Sequence, residues 1–420
     1  MYLLKKIIDK CENHSAKDWL DGACGSRTMK IQQEDYDKCG KSTLIQEICT
    51  LCDDGLLEVK WLVYGNDVSH VRYRLESLPR FYDLLRAEAK ERGETFLSKQ
   101  ERVRTCQTLI HRELAAGVKK IWVRRYYEDL LDKLAHLDDK SGSRIPADFD
   151  KMDLYLPAFR GLDELEEPMF KRVFSKKYLG NSKKFEKEVQ NHVISTAKMY
   201  YYEEVGPDMD DSAVLEQLLI REYAQEMALK GPLRLKIGGA GEGYAVDLSA
   251  FVYGTVLNSE TLKYAEIDVY QPQICRVITI ENKANFVSAP YREDTLYIFS
   301  HGYFSPRERE FLQRLYQVLE QKAAFFHSGD LDYGGVQIFA YIQRHIFPKL
   351  QPWMMDVETY LRYEKYAEPL EGGTLEKLRK TQVEPLQGLI QKMCETGMGI
   401  EQECFLASDT MVPETFFVGI

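Results

Sequence analysis

The sequence has no apolar run approaching the roughly 20 residues needed to span a bilayer. Its start, Met1-Tyr-Leu-Leu-Lys-Lys6, does not follow a signal peptide's order of charge, apolar core and small-residue cleavage site. The expectation is a cytoplasmic protein with no membrane partner. Nine cysteines, an odd number scattered through a long chain, make no disulfide framework and fit a reducing compartment. Cys49-Thr-Leu-Cys52 has the spacing of half a zinc site but lacks a second pair at a suitable distance. Leu44, Ile45, Ile48 and Leu51 around it have helical spacing, so the pair is read as helix core. A P-loop is also missing. Gly238-Gly-Ala-Gly-Glu-Gly243 lacks Gly-Lys-Ser/Thr, and no helix clearly starts after it; Gly40-Lys41-Ser42 has neither the upstream glycine nor a preceding strand. This excludes nucleotide hydrolysis by that route and leaves the glycine run as a hairpin or loop tip. Basic charge is not in excess either. With a formal net charge of −10, nucleic-acid binding has to come from local basic patches or from a more basic partner.

Apolar residues make up 44% of the 420, ample for two or three conventional cores. Residues 1–78 resemble a winged helix in layout. Tyr2 to Cys11 is an apolar-periodic helix, Arg27 to Ile31 a short strand, and Glu34 to Lys38 a helical turn. Ser42 caps a helix to Asp53 that Gly55 ends, and Leu56–Tyr64 with Val71–Leu75 forms a hairpin across Gly65-Asn66-Asp67. Winged helices bind DNA or serve as docking modules; the Leu/Cys/Ile-rich helix here, with few basic residues, favours docking. Residues 79–165 read as a helical connector, with helices over 81–92 and 98–116 and an exposed loop from Asp138 to Pro146. The stretch Val118 to Tyr127 mixes four basic residues with aromatics. It suits either a phosphate track or, preferably, a core face of Ile121, Trp122, Tyr126 and Leu130 with the cations solvated.

From residue 166 the pattern changes. Phe174 to Phe185 carries four lysines ahead of a helix over Phe185–Tyr202, with Ser182 as its N-cap. Ser182, Lys183 and Lys184 there either grip a phosphate or form a simple cap with solvated lysines. A helix over Ser212–Lys230 and a strand over Leu233–Ile237 come next. The apolar run Cys275 to Ile280 then ends in Glu281-Asn282, and a second, Ala324 to Ser328, leads into Asp330-Leu-Asp332. Between them lie a strand, Thr295–Phe299, and a helix begun by Ser305-Pro306; after them come a helix over Gly335–Phe347 and a strand over Pro352–Val357. Runs without alternation are the mark of a parallel sheet covered on both faces, and ligands of such sheets collect at the carboxyl ends of the strands. Asp330 and Asp332, two apart in extended chain, face one spot. With Glu281 on a neighbouring strand, three carboxylates converge. They repel one another unless a hard cation, Mg²⁺ or Mn²⁺, sits between them. Lys283 and Arg307 are candidate phosphate contacts, His301 is placed near the site, and His327 is read as packed.

Three stretches carry a resemblance: Leu179-Gly-Asn-Ser-Lys-Lys-Phe-Glu186, Ile280-Glu-Asn-Lys-Ala-Asn-Phe286 and His327-Ser-Gly-Asp-Leu-Asp-Tyr-Gly-Gly335. In this order they resemble the JetD family, nuclease subunits of Wadjet anti-plasmid defence systems, related to the topoisomerase VI A subunit. More broadly they are similar to the Toprim fold of topoisomerases, primases and certain nucleases. The resemblance spans residues 165–400; the N-terminal part shares only general character. It implies a multidomain α+β fold: a winged-helix-like module (1–78), a helical connector (79–165), a central α/β linking domain of CAP-like, DNA-binding type (166–270), a Toprim catalytic domain (271–406) and a tail (407–420). It further implies a Mg²⁺- or Mn²⁺-dependent DNA endonuclease using Glu281, Asp330 and Asp332, with Glu281 as ligand or general base. Ser182, Lys183, Lys184, Lys283 and Arg307 would face double-stranded plasmid DNA. The implied assembly is a homodimer with SMC-like ATPase, kleisin and accessory subunits. Two alternatives stay open: a non-catalytic DNA- or protein-binding regulator on an inactive scaffold, and a tyrosine-using enzyme like topoisomerase VI A. No tyrosine sits in a recognisable motif; Tyr36 lies in an acidic turn, Tyr64 and Tyr73 in the hairpin.

Overall fold

In the computed structural model, which describes residues 1–62, 67–137, 146, 148–222, 226–238 and 243–407, the apolar spacing of the first helix organises the N-terminal unit, Met1–Glu164. Helix α1 (Tyr2–His14) buries Leu3, Leu4, Ile7, Ile8 and Cys11, one stripe of a 3.6-residue period. Strand β1 (Ser26–Lys30), helices α2 (Gln33–Cys39) and α3 (Lys41–Asp53), and strands β2 (Leu57–Trp61) and β3 (Val68–Arg74) come after it. The strands pair antiparallel in the order β1-β3-β2, and Leu44, Ile48, Val71 and Phe81 join the α1 stripe in one core. Helix α4 (Leu78–Glu91) closes it. Helix α5 (Lys99–Gly117) starts at a reciprocal Ser98–Glu101 capping box, and α6 (Ile121–Ala135) and α7 (Met152–Glu164) pack through an aromatic cluster. Phe159 there lies 5.9 Å from Trp122 and 4.8 Å from Tyr126, centroid to centroid. The core reading of that aromatic stretch therefore holds for Trp122, Tyr126 and Leu130, but Ile121, the first residue of α6, is exposed.

The second unit is Leu165–Ile420. It runs β4 (Met169–Phe170), α8 (Lys171–Leu179), a π-turn at Phe185–Val189, α9 (Gln190–Tyr200), α10 (Asp211–Gln217), β5 (Ile220–Arg221), β6 (Glu226–Lys230), β7 (Arg234–Ile237), β8 (Tyr244–Asp247), β9 (Thr255–Asn258), α11 (Ser259–Tyr264) and β10 (Ala265–Ile267). It continues with β11 (Arg276–Ile280), α12 (Lys283–Ser288), β12 (Thr295–Phe299), α13 (Pro306–Leu319), β13 (Ala324–Ser328), α14 (Tyr333–His345), β14 (Gln351–Pro352), α15 (Val357–Tyr363), β15 (Glu368–Pro369), α16 (Gly372–Lys380), α17 (Gln387–Thr396) and β16 (Met398–Gly399). The main sheet has the order β14-β13-β11-β12-β6-β9. Strands β11, β12, β13 and β14 are parallel, while β6 and β9 are antiparallel additions. Val277, Ile278, Thr279 and Ile280 are all buried, as expected of a strand covered on both faces, and apolar residues of α12, α13 and α14 share its core. Because β6 and β9 come from the stretch before residue 270, no break in the sheet separates that stretch from the strands after it. No described helix is long and apolar enough to cross a membrane.

Several elements differ from the sequence expectation. The helix expected over Ser212–Lys230 stops at Gln217; Leu219 has φ +64° and Met227–Leu229 lie in β6 between β12 and β9. Pairing with distant strands overrides a locally helical pattern there. Ser182 caps nothing: Asn181 Oδ1 accepts from Lys183 N–H at 2.9 Å, and the Phe185 amide donates to Ser175 Oγ at 3.0 Å. The strand expected from Pro352 to Val357 is confined to β14, since Asp356 accepts from Thr359 N–H and caps α15. Cys52 is half-buried and packs against the core, but Cys49 is exposed, so the core reading holds for one cysteine of the pair. The hairpin turn at 65–66, the loop over 138–145, the centre of the glycine run and the tail from 408 lie outside the described residues.

Two contacts tie strand β6 and its turn to α12 and β12. Lys230, buried at the end of β6, donates to the carbonyls of Phe286, Val287 and Ala289 at 3.0, 2.9 and 2.8 Å, capping α12 from below its last turn. Next to it Gly231 has φ +130°, and a Cβ there would run into the Thr295 carbonyl oxygen and lie 2.9 Å from Leu296 Cα. Replacing Gly231 by Ala should therefore destabilise the second unit by on the order of 2 kcal/mol or more. Denaturant unfolding checks this; a midpoint equal to that of the unaltered chain would contradict it.

Candidate metal centre

Parallel pairing of β11 with β13 sets Ile280 opposite Ser328, and the Glu281 amide extends the ladder by donating to Ser328 O at 3.0 Å. The Glu281 side chain consequently leaves the sheet beside the loop after β13. Its Oε2 accepts from Asp330 N–H at 3.3 Å. Gly329 leaves the space that Glu281 uses, since a Cβ there would collide with Glu281 Oε2 and lie 3.0 Å from His327 Nε2. Asp330 Oδ1 accepts from the Gln402 amide at 2.7 Å. Both aspartates follow β13 rather than lie in it; Asp332 keeps extended backbone (φ −145°, ψ −172°) and caps α14, its Oδ1 accepting from Gly335 N–H at 2.8 Å. Between the two aspartates Leu331 is fully buried and exchanges backbone hydrogen bonds with Ile400 at 2.8 and 3.0 Å. Gly335 is forced by proximity as well, since a Cβ would strike the Asp330 carbonyl oxygen.

The segment after Ile400 supplies acids that sequence reasoning missed. One carboxylate oxygen each from Asp330, Glu401 and Glu403 lie within 4.8 Å of one another. Together with Glu281, Lys283 and His301 they line a pocket of about 310 Å³. The signal was present: Glu401-Gln-Glu403 repeats the acid-x-acid spacing of Asp330-Leu-Asp332, but nothing local ties it to a site 71 or more residues earlier. Lys283, on the first turn of α12, rests its Nζ 4.3 Å from the Phe299 ring centroid. His301, at φ +43°, places Nε2 3.1 Å from Glu308 Oε1; burial opposes its charge, but the Glu308 carboxylate prevails and raises its pKa. His327 is fully buried with Nδ1 2.8 Å from Thr279 Oγ1, and burial lowers it to about 3, so it packs as the neutral imidazole.

The other expected contacts lie elsewhere. Ser182, Lys183 and Lys184 occupy the loop between α8 and the π-turn and do not line this pocket. Nor does Arg307, whose guanidinium is shared between Glu167 at 2.6 Å and Glu310 at 2.9 Å. Among the described residues no ion-pair partner neutralises Glu281, Asp330, Asp332, Glu401 or Glu403, and the acids perturb one another. Burial, then Asp330, pushes Glu281 up to about 8, against the pull of the Asp330 amide. Burial raises Asp330 to about 7, opposed by the Gln402 amide and assisted by Glu401 and Asp332. Asp332 is raised by burial against two glycine amides, and Glu401 by burial and by Asp332. An all-oxygen set of crowded acids, none of them ion-paired among the described residues, is a donor set of the type hard divalent cations take.

Residues 246–414 match the family model described as Wadjet protein JetD, C-terminal. Over 381 residues, 89% of this chain and 88% of the relative, the sequence is 28% identical to the Wadjet protein JetD of Bacillus cereus (strain Q1). The chain is similar to the JetD family along most of its length, and its C-terminal region matches the family model. The JetD model takes in every carboxylate of the centre, from Glu281 to Glu403, and leaves Ser182, Lys183 and Lys184 outside its bounds. The stretch Ile280-Glu-Asn and the stretch ending in Gly335 lie side by side at the end of the sheet, which brings residues some 50 positions apart to one spot.

The raised carboxyls give a pH dependence of definite sign. Glu281 holds its proton to about 8 when folded against 4.5 ordinarily, and Asp330 to about 7 against 3.8. The native state then binds more protons than the unfolded chain, so their stability contribution is full at low pH and declines as pH rises through this window. Metal-free Glu281→Gln should therefore match the unaltered chain in melting temperature near pH 5 and exceed it by a few degrees at pH 8. Mg²⁺ should stabilise the unaltered chain more at pH 8 than at pH 6, because metal competes with protons for the same oxygens. A pH-independent difference between the two proteins in thermal melts would refute the shared burial of these charges.

Proposed function

We propose that this chain is a metal-dependent DNA endonuclease that cleaves invading plasmid DNA as part of a Wadjet defence system. The observation that supports it most is the convergence of Glu281, Asp330, Glu401 and Glu403 on one pocket at the carboxyl ends of β11 and β13, with Asp332 two residues away at the start of α14. In this reading the unit from β11 onwards is a Toprim domain and residues 1–78 a winged-helix module. Mg²⁺ or Mn²⁺ would be held by Glu281, Asp330 and Asp332, with Glu401 and Glu403 close enough to contribute oxygens. Once bound, it supplies Lewis-acid polarisation of a phosphoryl oxygen and charge neutralisation. Lys283, the cation at the pocket rim, offers its ammonium to a phosphate oxygen. Glu281, with its carboxyl poised near neutrality, is suited either to hold the ion or to take the proton of an attacking water at Oε2. Ser182, Lys183 and Lys184 would serve a duplex at a distance from the chemistry.

Hydrolysis is favoured over a tyrosine nucleophile. The Tyr36 hydroxyl oxygen accepts the Val68 N–H at 2.9 Å and is buried. Tyr73 is buried too, and burial, then its hydrogen bond with Cys11, raises its pKa; Tyr64 lies outside the described residues. The exposed residues of α3 include only one cation, Lys41, which pairs with Asp67 at 2.6 Å. That face suits docking to the SMC-like ATPase, kleisin or accessory subunits better than gripping DNA. A net charge of −10 likewise points to partners that deliver the polyanion, and a homodimer would bring one centre to each strand of a duplex.

With the Wadjet partners and plasmid DNA present, Asp330→Ala combined with Asp332→Ala should reduce cleavage by on the order of 10²-fold or more and abolish calorimetric Mn²⁺ binding. Unchanged Mn²⁺ binding in that double variant would remove the basis of the assignment. Denaturing a cleavage reaction in detergent should release DNA ends free of polypeptide. A labelled adduct lost on changing one tyrosine to Phe would replace hydrolysis by the topoisomerase-like route.

A further inference from the structure

Gln402 lies between the two late acids and is itself fully buried. Its side chain reaches both strand ends that carry the centre. Oε1 accepts from Asn282 N–H, the residue after Glu281, at 2.9 Å. Nε2 donates to Ser328 Oγ, two residues before Asp330, at 2.7 Å. Its backbone takes part as well: the amide donates to Asp330 Oδ1 at 2.7 Å, and the carbonyl accepts from Asn285 Nδ2 at 2.9 Å. One residue thus ties the end of β11, the start of α12, the end of β13 and the Asp330 carboxylate.

We propose that Gln402 is the positioning residue of the carboxylate centre, holding Glu281 and Asp330 at the spacing that a divalent cation needs. The proposal rests on the reading of those two acids as metal ligands. It specifies what that reading leaves open, namely what keeps two like charges on separate strands in register. An amide is the side chain that fits: it offers one acceptor and one donor, which Asn282 N–H and Ser328 Oγ use, and Asn would be a methylene too short to reach both. A carboxylate would add buried charge beside Asp330. The seat of the segment is rigid. Ile400 is bridged to Leu331, a Cβ on Gly399 would lie 2.9 Å from Leu370 Cδ2 and 3.2 Å from Asp332 Cβ, and the Phe405 ring packs 4.8 Å from that of Tyr363. Held this way, Gln402 turns inward while Glu401 and Glu403 on either side are exposed at the pocket.

The test is a Mn²⁺ titration of the full chain followed by electron paramagnetic resonance, with thermal melts alongside. Gln402→Met keeps the volume and deletes both side-chain hydrogen bonds. It should weaken Mn²⁺ binding by about 10- to 100-fold while the circular dichroism spectrum stays that of the unaltered chain. Asp330→Asn is the reference. Unaltered binding in Gln402→Met with loss in Asp330→Asn overturns the positioning role alone; unaltered binding in Asp330→Asn overturns the metal reading and this proposal with it. If Gln402→Met does not fold, Ser328→Ala, which removes only the Nε2 acceptor, decides. Weakened binding there supports the proposal, and unaltered binding overturns it.

Discussion

The hydrogen bond from the Glu281 amide to Ser328 O is the contact on which the rest of the second unit depends. It is the last rung of the β11–β13 ladder, and it converts a separation of 49 residues between Glu281 and Asp330 into a side-chain-to-amide contact. A parallel pair cannot be joined by a tight turn, so the crossover has to contain β12 and α13. The glycines at 329 and 335 fit this crowding: a Cβ at 329 would meet the Glu281 carboxylate and the His327 ring, and one at 335 the backbone of Asp330.

The same crowding sets the electrostatics. A carboxylate placed at the edge of a covered sheet loses water on the sheet side, and here each acid also faces others. Backbone amides of Asp330, Gln402 and Gly335 offset part of that penalty, yet no ion pair among the described residues cancels it. Stability is given up locally to keep acids together, a cost that ordinary surface design would avoid.

Much of this was legible in the sequence, for identifiable reasons. Strands β11, β12 and β13 announce themselves by unbroken apolar runs, and α13 by Ser305-Pro306. The three family motifs pointed to Glu281 and Asp330. What failed were features decided by distant partners. Met227-Ala-Leu is as good a helix end as a strand until β12 and β9 are placed beside it. Ser182 has the composition of a cap, but buried Ser175, ten residues before Phe185, meets the Phe185 amide instead. Nothing local ties Glu401 and Glu403 to the strand ends; what places them at the pocket is Gln402 meeting Asn282 and Ser328.

That dependence has a consequence for the order in which the protein is made. Translation proceeds from the amino end, and the strands bearing Glu281 and Asp330 emerge from the ribosome many residues before the stretch over 398–405. Until that stretch emerges, Asp330 lacks its amide donor, Asn282 N–H lacks its acceptor, and the pocket lacks two of its acids. Contacts this distant in sequence form only after the intervening chain has been ordered. A growing polypeptide therefore holds the halves of its centre apart, and a chain broken off before residue 398 would carry the early motifs without the surroundings that make them a site.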